Sequence, residues 1–262
     1  NLPKKIILPI ACLVLTVGMG QTKIDSLSQL IEKEKSPAEK AHLQLKRGVL
    51  FNKNQGEKGL EDLESALSFF IQNNDNEGET DSYIALGNLH FIYGDPKQAA
   101  HYDSLAINLS EKISYRKGRA VAIGNLGREF KNFGNLDKAE ELIEQAIALE
   151  EQFNPQDAYR LAELYSRYSI IVGSQGNYLK SLELIEKAIE FSETVKDDEQ
   201  LSLLYNNYSI TLSRLSKFDE AVDVHFKVIR ISEKMKDTTG LLRVYNNLGI
   251  AFRHSGEFDK AI

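Results

Sequence analysis

The chain is 262 residues long and 42% hydrophobic, so it is long enough to bury a sizeable core. Five prolines and no tryptophan fit a mostly helical chain. The formal net charge is −6, and beyond residue 20 the chain carries 38 acidic against 30 basic side chains. Because an acidic surface repels phosphate, this balance excludes bulk binding of nucleic acid through the region.

Residues 1–20 contain the three parts of a secretory signal peptide. Lys4 and Lys5 form a basic start, residues 6–17 form an apolar run, and residues 18–20 are small or unbranched. The apolar run is too short for a comfortable membrane span. We therefore predict a signal peptide that is cleaved after residue 20, and a protein exported to a periplasmic or other extracytoplasmic compartment.

Cys12, the single cysteine of the chain, lies inside this segment. Cleavage would leave a protein without cysteine, which excludes disulfides and thiol catalysis. Two other interpretations stay open, a helix buried in the fold and a lipoprotein signal with Cys12 as the lipid acceptor. The second is weakened because Pro9 stands three positions before Cys12, where a leucine is expected, and because the apolar run continues past the cysteine.

Residues 21–37 are interpreted as an N-terminal helix and linker, and residues 38–262 as about six copies of one unit. A small residue recurs at the same point of a helical pattern, at spacings of 39, 40, 42, 40 and 40 residues. The six small residues are Gly48, Gly87, Gly127, Ser169, Ser209 and Gly249. A fixed period of this length is the signature of a repeat architecture.

The third copy shows the unit most clearly. Gly127 is followed by Phe130 after three residues, by the turn glycine Gly134 after seven, and by Ala139 and Ala146 after twelve and nineteen. Apolar residues three or four apart on both sides of the turn predict two amphipathic helices. Small residues let helices pack closely, and a turn glycine ends a helix at low cost. Because one pair cannot bury its apolar face alone, we predict stacked pairs in a solenoid.

This pattern resembles the tetratricopeptide repeat family, whose common unit has 34 residues. The spacing of about 40 residues is similar to the longer-helix variety, found in kinesin light chain and in bacterial peptide-sensing regulators. The first copy departs most, because Leu60 stands where alanine is expected. The resemblance covers residues 38–262 and implies an all-α, right-handed superhelical solenoid of antiparallel helix pairs.

The sixth copy is predicted to be truncated. Its first helix is expected over residues 238–254 and its turn at Ser255 and Gly256, after which the chain stops at Ile262. Solenoids end in a polar capping helix, because an uncapped end exposes an apolar slice. We therefore expect a fragment of a longer protein, with any effector domain or membrane segment downstream.

No group of side chains predicts catalysis. The five histidines are scattered over different predicted helices without the spacing of metal ligands, and no glycine-rich phosphate loop follows a strand. Paired acids are interpreted as solvated helix faces. We expect no enzymatic activity in this region, no metal and no cofactor.

The inner surface carries the functional prediction. In the family that the chain resembles, the first helix of each pair lines the concave side, and asparagine there binds the backbone of an extended peptide. Arginine at inward positions binds carboxylate. The predicted peptide-binding residues are Asn125, Arg128, Arg167, Asn207, Arg214, Arg243, Asn247 and Arg253. The alternative is that these asparagines satisfy groups between helices and the arginines are solvated or paired with acids.

Three classes of function follow. The first is an interaction module that holds a protein or peptide, such as an acidic or C-terminal segment, without nucleic acid. The second is the sensory half of a signalling protein, similar to exported tetratricopeptide sensor kinases, that contacts a membrane only through a missing downstream segment. The third is an enzyme with its site on the solenoid, which the residues do not support.

Overall fold

The computed structural model describes residues 13–51, 55–256 and 259, with side chains from residue 22 onward. All regular structure in these ranges is helical. The helices are α1 (Leu13–Lys33), α2 (Pro37–Gly48), α3 (Gly56–Gln72), α4 (Asn76–Tyr93), α5 (Pro96–Lys112), α6 (Arg116–Asn132), α7 (Leu136–Phe153), α8 (Ala158–Ser174), α9 (Tyr178–Val195), α10 (Asp198–Arg214), α11 (Phe218–Met235) and α12 (Thr238–Ser255). The predicted all-α fold of antiparallel helix pairs is confirmed.

Helices α2 to α11 form five antiparallel pairs, and α12 is the first helix of a sixth unit. Each of the six small residues lies in the first helix of its unit, as predicted. A Cβ atom on Gly127 would lie 3.3 Å from the carbonyl oxygen of Ala139 and 3.4 Å from Cβ of Leu142. Because Ala139 and Ala146 are fully buried as well, α6 and α7 pack closely where both helices have small residues.

Most turns between helices repeat one local signal, whereas Tyr115 before α6 and Lys217 before α11 make no side-chain cap. A residue with positive φ is followed by Asp or Asn, whose side chain accepts a hydrogen bond from the backbone N–H three residues on and caps the next helix. Gly134 has φ 79°, and Oδ1 of Asn135 accepts from the N–H of Lys138 at 3.1 Å. Gly256 takes the same left-handed geometry at the end of α12, as predicted. The other capping residues of this kind are Asp75, Asp95, Asn177, Asp197 and Asp237, and Asp157 caps α8 without a positive-φ residue before it.

The apolar core is divided into slices between neighbouring units. Its largest cluster joins α6 to α10 and includes Ile143, Leu164 and Ile185, all without exposed surface. Smaller clusters lie among α2 to α6 on one side and α10 to α12 on the other. Stability in such a stack is approximately the sum of unit and interface contributions.

The first helices line the inner side of the stack. Contacts between consecutive first helices recur from α2 to α12, whereas no contact of comparable extent joins consecutive second helices within the described residues. The first helices therefore follow a shorter arc than the second helices. Their exposed faces form the concave surface, where the sequence predicted the functional residues.

Helix α1 begins inside the predicted signal peptide and packs on α2. Ile24 and Ile31 are buried, and Nη1 of Arg47 donates to Oγ of Ser28 at 2.9 Å. None of the helices in the described part of the chain is long and apolar enough to cross a membrane. Residues 1–12, with Cys12, and residues 257–258 and 260–262 lie outside the described residues. The predicted basic start of the signal peptide, the alternative of Cys12 as a lipid acceptor and the predicted truncation of the sixth unit all concern these residues.

Candidate peptide-binding groove

Depressions in the concave surface lie between consecutive first helices. Two lie between α10 and α12, and one lies between α8 and α10. Their linings use helix positions that repeat every 40 residues, such as Leu203 with Arg243 and Ile210 with Ile250. The predicted groove residues can therefore be compared unit by unit.

Arg128 on α6 is occupied by contacts within the chain. Its Nη2 donates to Oδ1 of Asn88 at 3.1 Å and to Oε1 of Glu129 at 2.8 Å. Its guanidinium carbon lies 3.7 Å from the centre of the Phe91 ring, in cation–π contact. Three separate partners hold this side chain, so it joins α4 to α6 and offers little free bonding capacity to a ligand.

Arg167 and Asn125 also bond to each other across units. Nη1 of Arg167 donates to the carbonyl oxygen of Gly124 and to Oδ1 of Asn125, both at 3.0 Å, and Nη2 pairs with Glu163. Burial opposes ionisation of Glu163, but the nearby arginines outweigh it and hold the pKa of Glu163 below its usual value. Asn125 is only 1% exposed, so its amide lies between helices and not on the open surface.

Asn125 bonds on its other side to a buried acid. Its Nδ2 donates to Oδ1 of Asp103 at 3.3 Å, while Oδ2 of Asp103 and Oε2 of Glu129 have no hydrogen-bond partner among the described residues. Both acids are fully buried. Burial, followed by the charge of Glu129, raises the pKa of Asp103 to about 8, so the protonated form of Asp103 predominates at pH 7. Burial likewise raises the pKa of Glu129. The first half of the groove is thus closed by its own polar network.

The arginines toward the end of the groove are free. Arg214, Arg243 and Arg253 are exposed and form no ion pair with any side chain in the described ranges. Three unpaired cations on the inner face of an acidic chain attract negative charge. These three predicted residues can therefore contact an acidic ligand.

The asparagines of the last two units keep bonding capacity. Asn207 is half-buried, and no side-chain hydrogen bond is formed by it within the described part of the chain. Nδ2 of Asn247 donates to Oδ1 of Asn206 at 2.8 Å, which uses one of the two N–H groups of that amide. Both asparagines can still donate to and accept from a peptide backbone. Their role in binding stays a prediction, as does that of the occupied Asn125.

Sequence reasoning overlooked a row of apolar side chains on the same face. Ile170, Ile210 and Ile250 directly follow the small residues of α8, α10 and α12, and 39%, 44% and 41% of their surfaces are exposed. We call these three residues the isoleucine ladder. Arg128, which also directly follows a small residue, was predicted to face inward. The 40-residue spacing of the isoleucines at the same position could therefore have revealed the row.

A cavity of about 440 Å³ lies between α10, α11 and α12. Ile210, Ile250 and Phe218 supply its apolar wall, and Arg214 and Asn247 supply polar groups. The remaining lining residues are Ser213, His225 and His254. This volume and mixture are within the range of sites that hold a side chain or a small ligand.

His225 lines this cavity from α11 and is 2% exposed. Burial lowers its pKa to about 4, so the imidazole is neutral at physiological pH. Its Nδ1 has no hydrogen-bond partner among the described residues. Within the same residues, no group of His, Cys, Asp and Glu side chains could hold a metal ion.

Comparison with known families gives two matches with the same description. Tetratricopeptide repeat profiles match the chain over residues 160–234 and over residues 120–153. No curated protein sequence matches the chain.

Solved structures with the same fold are more numerous. BtubC (BKLC) from P. vanneervenii is 18% identical with a TM-score of 0.66, and the match covers 84% of this chain and 91% of that one. Aspartyl phosphate phosphatase F from Bacillus subtilis is 13% identical with a TM-score of 0.66, over 88% and 71% of the two chains. The chain also matches a signal transduction ATPase with numerous domains from Pyrococcus horikoshii, which has a tetratricopeptide repeat sensor. There the identity is 15% and the TM-score 0.67, over 96% of this chain but 40% of that one. At these identities the similarity concerns the fold.

Proposed function

Since the chain belongs to the tetratricopeptide-repeat family, whose members generally act as protein-interaction scaffolds, we propose that its groove binds a segment of a partner protein. The binding surface is the inner face of α8, α10 and α12, where Asn207, Asn247 and the unpaired arginines lie. The observation that carries this proposal is the contrast between the two halves of the groove. Arg128 and Arg167 are bonded within the chain, whereas Arg214, Arg243 and Arg253 have no ion pair among the described residues.

The charges of the free half define the class of partner. Arginine binds carboxylate through two parallel hydrogen bonds, so each unpaired arginine of this half can hold an acidic group. Arg214 lines a depression without acids, whereas Arg243 shares its depression with Glu199 and Asp237. The partner segment is therefore acidic, through Asp and Glu side chains or a C-terminal carboxylate. Binding follows from a preformed surface and involves no covalent chemistry.

The experiment uses short acidic peptides with a fluorescent label and measures their anisotropy with the full chain. Replacing both Asn207 and Asn247 with Ala should weaken binding about tenfold, because two backbone contacts are lost. The melting temperature should stay nearly unchanged, since neither side chain is in the apolar core. If stability instead collapsed while peptide binding survived, these asparagines would belong to the packing and not to the groove.

A pair of variants separates the effect of a groove cation on peptide binding from the effect of the overall charge of the protein. Arg253→Ala removes a cation from the groove, and Arg230→Ala removes an exposed cation from α11, on the outer side. We expect only Arg253→Ala to weaken binding of the acidic peptides. Equal effects of the two substitutions, or equal binding of basic peptides, would contradict an acid-selective groove.

We further propose that this region is the exported sensory half of a longer signalling protein. The signal-peptide pattern of residues 1–20 and the fold shared with a protein that has a tetratricopeptide repeat sensor support this proposal. A free-standing exported adaptor is the second candidate. Sequencing the parent gene past Ile262 separates the two, because a membrane span followed by a signalling domain favours the sensor and a stop codon after a capping helix favours the adaptor.

A further inference from the structure

The isoleucine ladder distinguishes the last three units from the earlier ones. In α4 and α6 the same position is Asn88 and Arg128, which bond to each other, whereas α8, α10 and α12 have Ile170, Ile210 and Ile250. Each isoleucine leaves about two fifths of its surface exposed, on consecutive helices that contact one another. Three aliphatic side chains in a row on a concave surface form an apolar track between the polar groups of the groove.

The spacing of the ladder selects the shape of its ligand. The axes of contacting helices lie about 8–10 Å apart, and this sets the approximate spacing at which equivalent positions such as the three isoleucines repeat. In a β-strand, side chains on one face repeat about every 7 Å, which is too short. In an extended polyproline II segment, every third side chain lies on the same face, at about 9 Å. A ligand helix would match with one side chain every seven residues, at about 10 Å.

The asparagines beside the ladder favour the extended ligand over the helix. A polyproline II segment has no internal hydrogen bonds, so its backbone N–H and C=O groups need partners. Asn207 and Asn247, two positions before the small residues, can supply both kinds of bond. The backbone of a helical ligand is already satisfied, and burying these amides against it would leave them unbonded at a cost.

The charges beside the isoleucine ladder indicate which kind of residue lies between the apolar side chains of the ligand. Arg214 and Arg253 follow the ladder positions of α10 and α12 by about one helical turn, and Arg243 precedes Ile250 by about two turns. Cations therefore lie on both sides of the apolar track. Acidic residues between the apolar residues of a ligand would reach them.

We propose that the groove binds an extended acidic segment with an aliphatic side chain at every third residue, one for each member of the isoleucine ladder. This inference rests on the proposed function and adds the period of the ligand's apolar side chains. The aliphatic side chain that packs on Ile210 lies at the cavity bounded by Ile210, Ile250 and Phe218.

The test compares three labelled peptides of identical composition, made of leucine, glutamate and proline, because proline disfavours the helix and favours an extended backbone. In the first peptide leucine occupies every third position, in the second every second position, and in the third the leucines are consecutive. A fourth has leucine at every seventh position in a helix-forming sequence. The first should bind the full chain at least about tenfold more tightly than the second, because a strand aligns fewer leucines with the ladder.

Each result has a distinct meaning. Equal affinity of the first three peptides would overturn the three-residue period while leaving the proposed function intact. Tighter binding of the fourth would overturn the extended conformation. If none of the four peptides bound, the proposed function itself would be contradicted.

A matched pair of variants locates the binding surface. Ile210→Ser removes the central member of the ladder, and Ile71→Ser makes the same change on α3, a second helix, where Ile71 is 47% exposed. Ile210→Ser should reduce the affinity of the first peptide about tenfold and Ile71→Ser should leave it unchanged. Both variants should melt like the wild type, because both side chains are partly solvated. Equal loss in both, or in neither, would overturn the assignment.

Discussion

Replacing Asp103 with Asn should change how the stability of the protein depends on pH. Asp103 is fully buried, and its pKa is raised from 3.8 to about 8 by burial and then by the charge of Glu129. At neutral pH the folded protein therefore holds a proton on this carboxyl that the unfolded chain has released. Asp103→Asn keeps an oxygen that can accept the hydrogen bond from Asn125 and has no proton to lose.

The sign and size of the effect follow from proton linkage. Between about pH 4 and pH 8 the folded state binds more protons at Asp103 than the unfolded state, so the free energy of unfolding falls as pH rises. One proton corresponds to a slope of about 1.4 kcal/mol per pH unit. From pH 5 to pH 7, Asp103 alone should lower the stability of the wild type by up to about 3 kcal/mol relative to the variant.

Urea denaturation of both proteins at several pH values from 5 to 8 measures this difference. Arg128, Arg167 and Glu129 are present in both proteins, so the comparison reports the titration of Asp103 together with its electrostatic coupling to Glu129. The wild type should lose stability relative to Asp103→Asn as pH rises, and the gap should stop growing above the pKa of Asp103. Parallel stability curves over the whole range would refute the assignment of a neutral, buried Asp103.

Two further predictions concern stability. Gly127→Leu should lower the free energy of unfolding by about 1–3 kcal/mol, because even a Cβ there meets the backbone of Ala139 at 3.3 Å; a variant as stable as the wild type in urea would contradict this close packing. Arg167→Ala should cost about 1–3 kcal/mol, because it leaves the buried Oδ1 of Asn125 without its donor and leaves Glu163 paired only with Arg160, whereas Arg253→Ala should cost under about 0.5 kcal/mol. Similar losses from both arginines would show that the groove is not divided into a bonded and a free half.

The fold could be predicted because its signals are local and repeated. The small residue of each unit, the turn glycine and the later alanines each have a backbone or packing reason that acts within one helix pair. Gly127 against Ala139, and Gly134 with φ 79°, confirm those reasons. Six copies of one pattern also average out the departures of single units, as at Leu60 in the first. The Asp and Asn caps add a further local signal.

The site could be predicted only in part, because its chemistry depends on contacts between units. The sequence shows that Asn125 and Asn207 occupy the same helix position, but it does not show that one is buried and the other half-exposed. Arg167 was expected to face a ligand, yet its guanidinium bonds back to Gly124 and Asn125 in the preceding unit. These contacts join residues more than 40 positions apart, beyond the reach of a pattern read one unit at a time.

One position of the preceding unit accounts for the different states of the groove asparagines. Asp103, Ile185 and His225 each lie sixteen residues after the small residue of their unit and 22 residues before the groove asparagine of the next unit. Asp103 binds Asn125 and draws it between the helices. Ile185 is apolar and fully buried, so it offers Asn207 no hydrogen bond and leaves that amide available.

The third member of this series explains the cavity. His225 lines the same space as Asn247, and with a pKa lowered by burial to about 4 it is a neutral imidazole that does not form an ion pair there. An acid at this position in the second helix thus closes the groove, while an isoleucine or a neutral histidine leaves it open. In a solenoid whose first helices carry the same asparagine, the ligand-binding segment is therefore chosen by the buried residue behind each asparagine as well as by the exposed residues beside it.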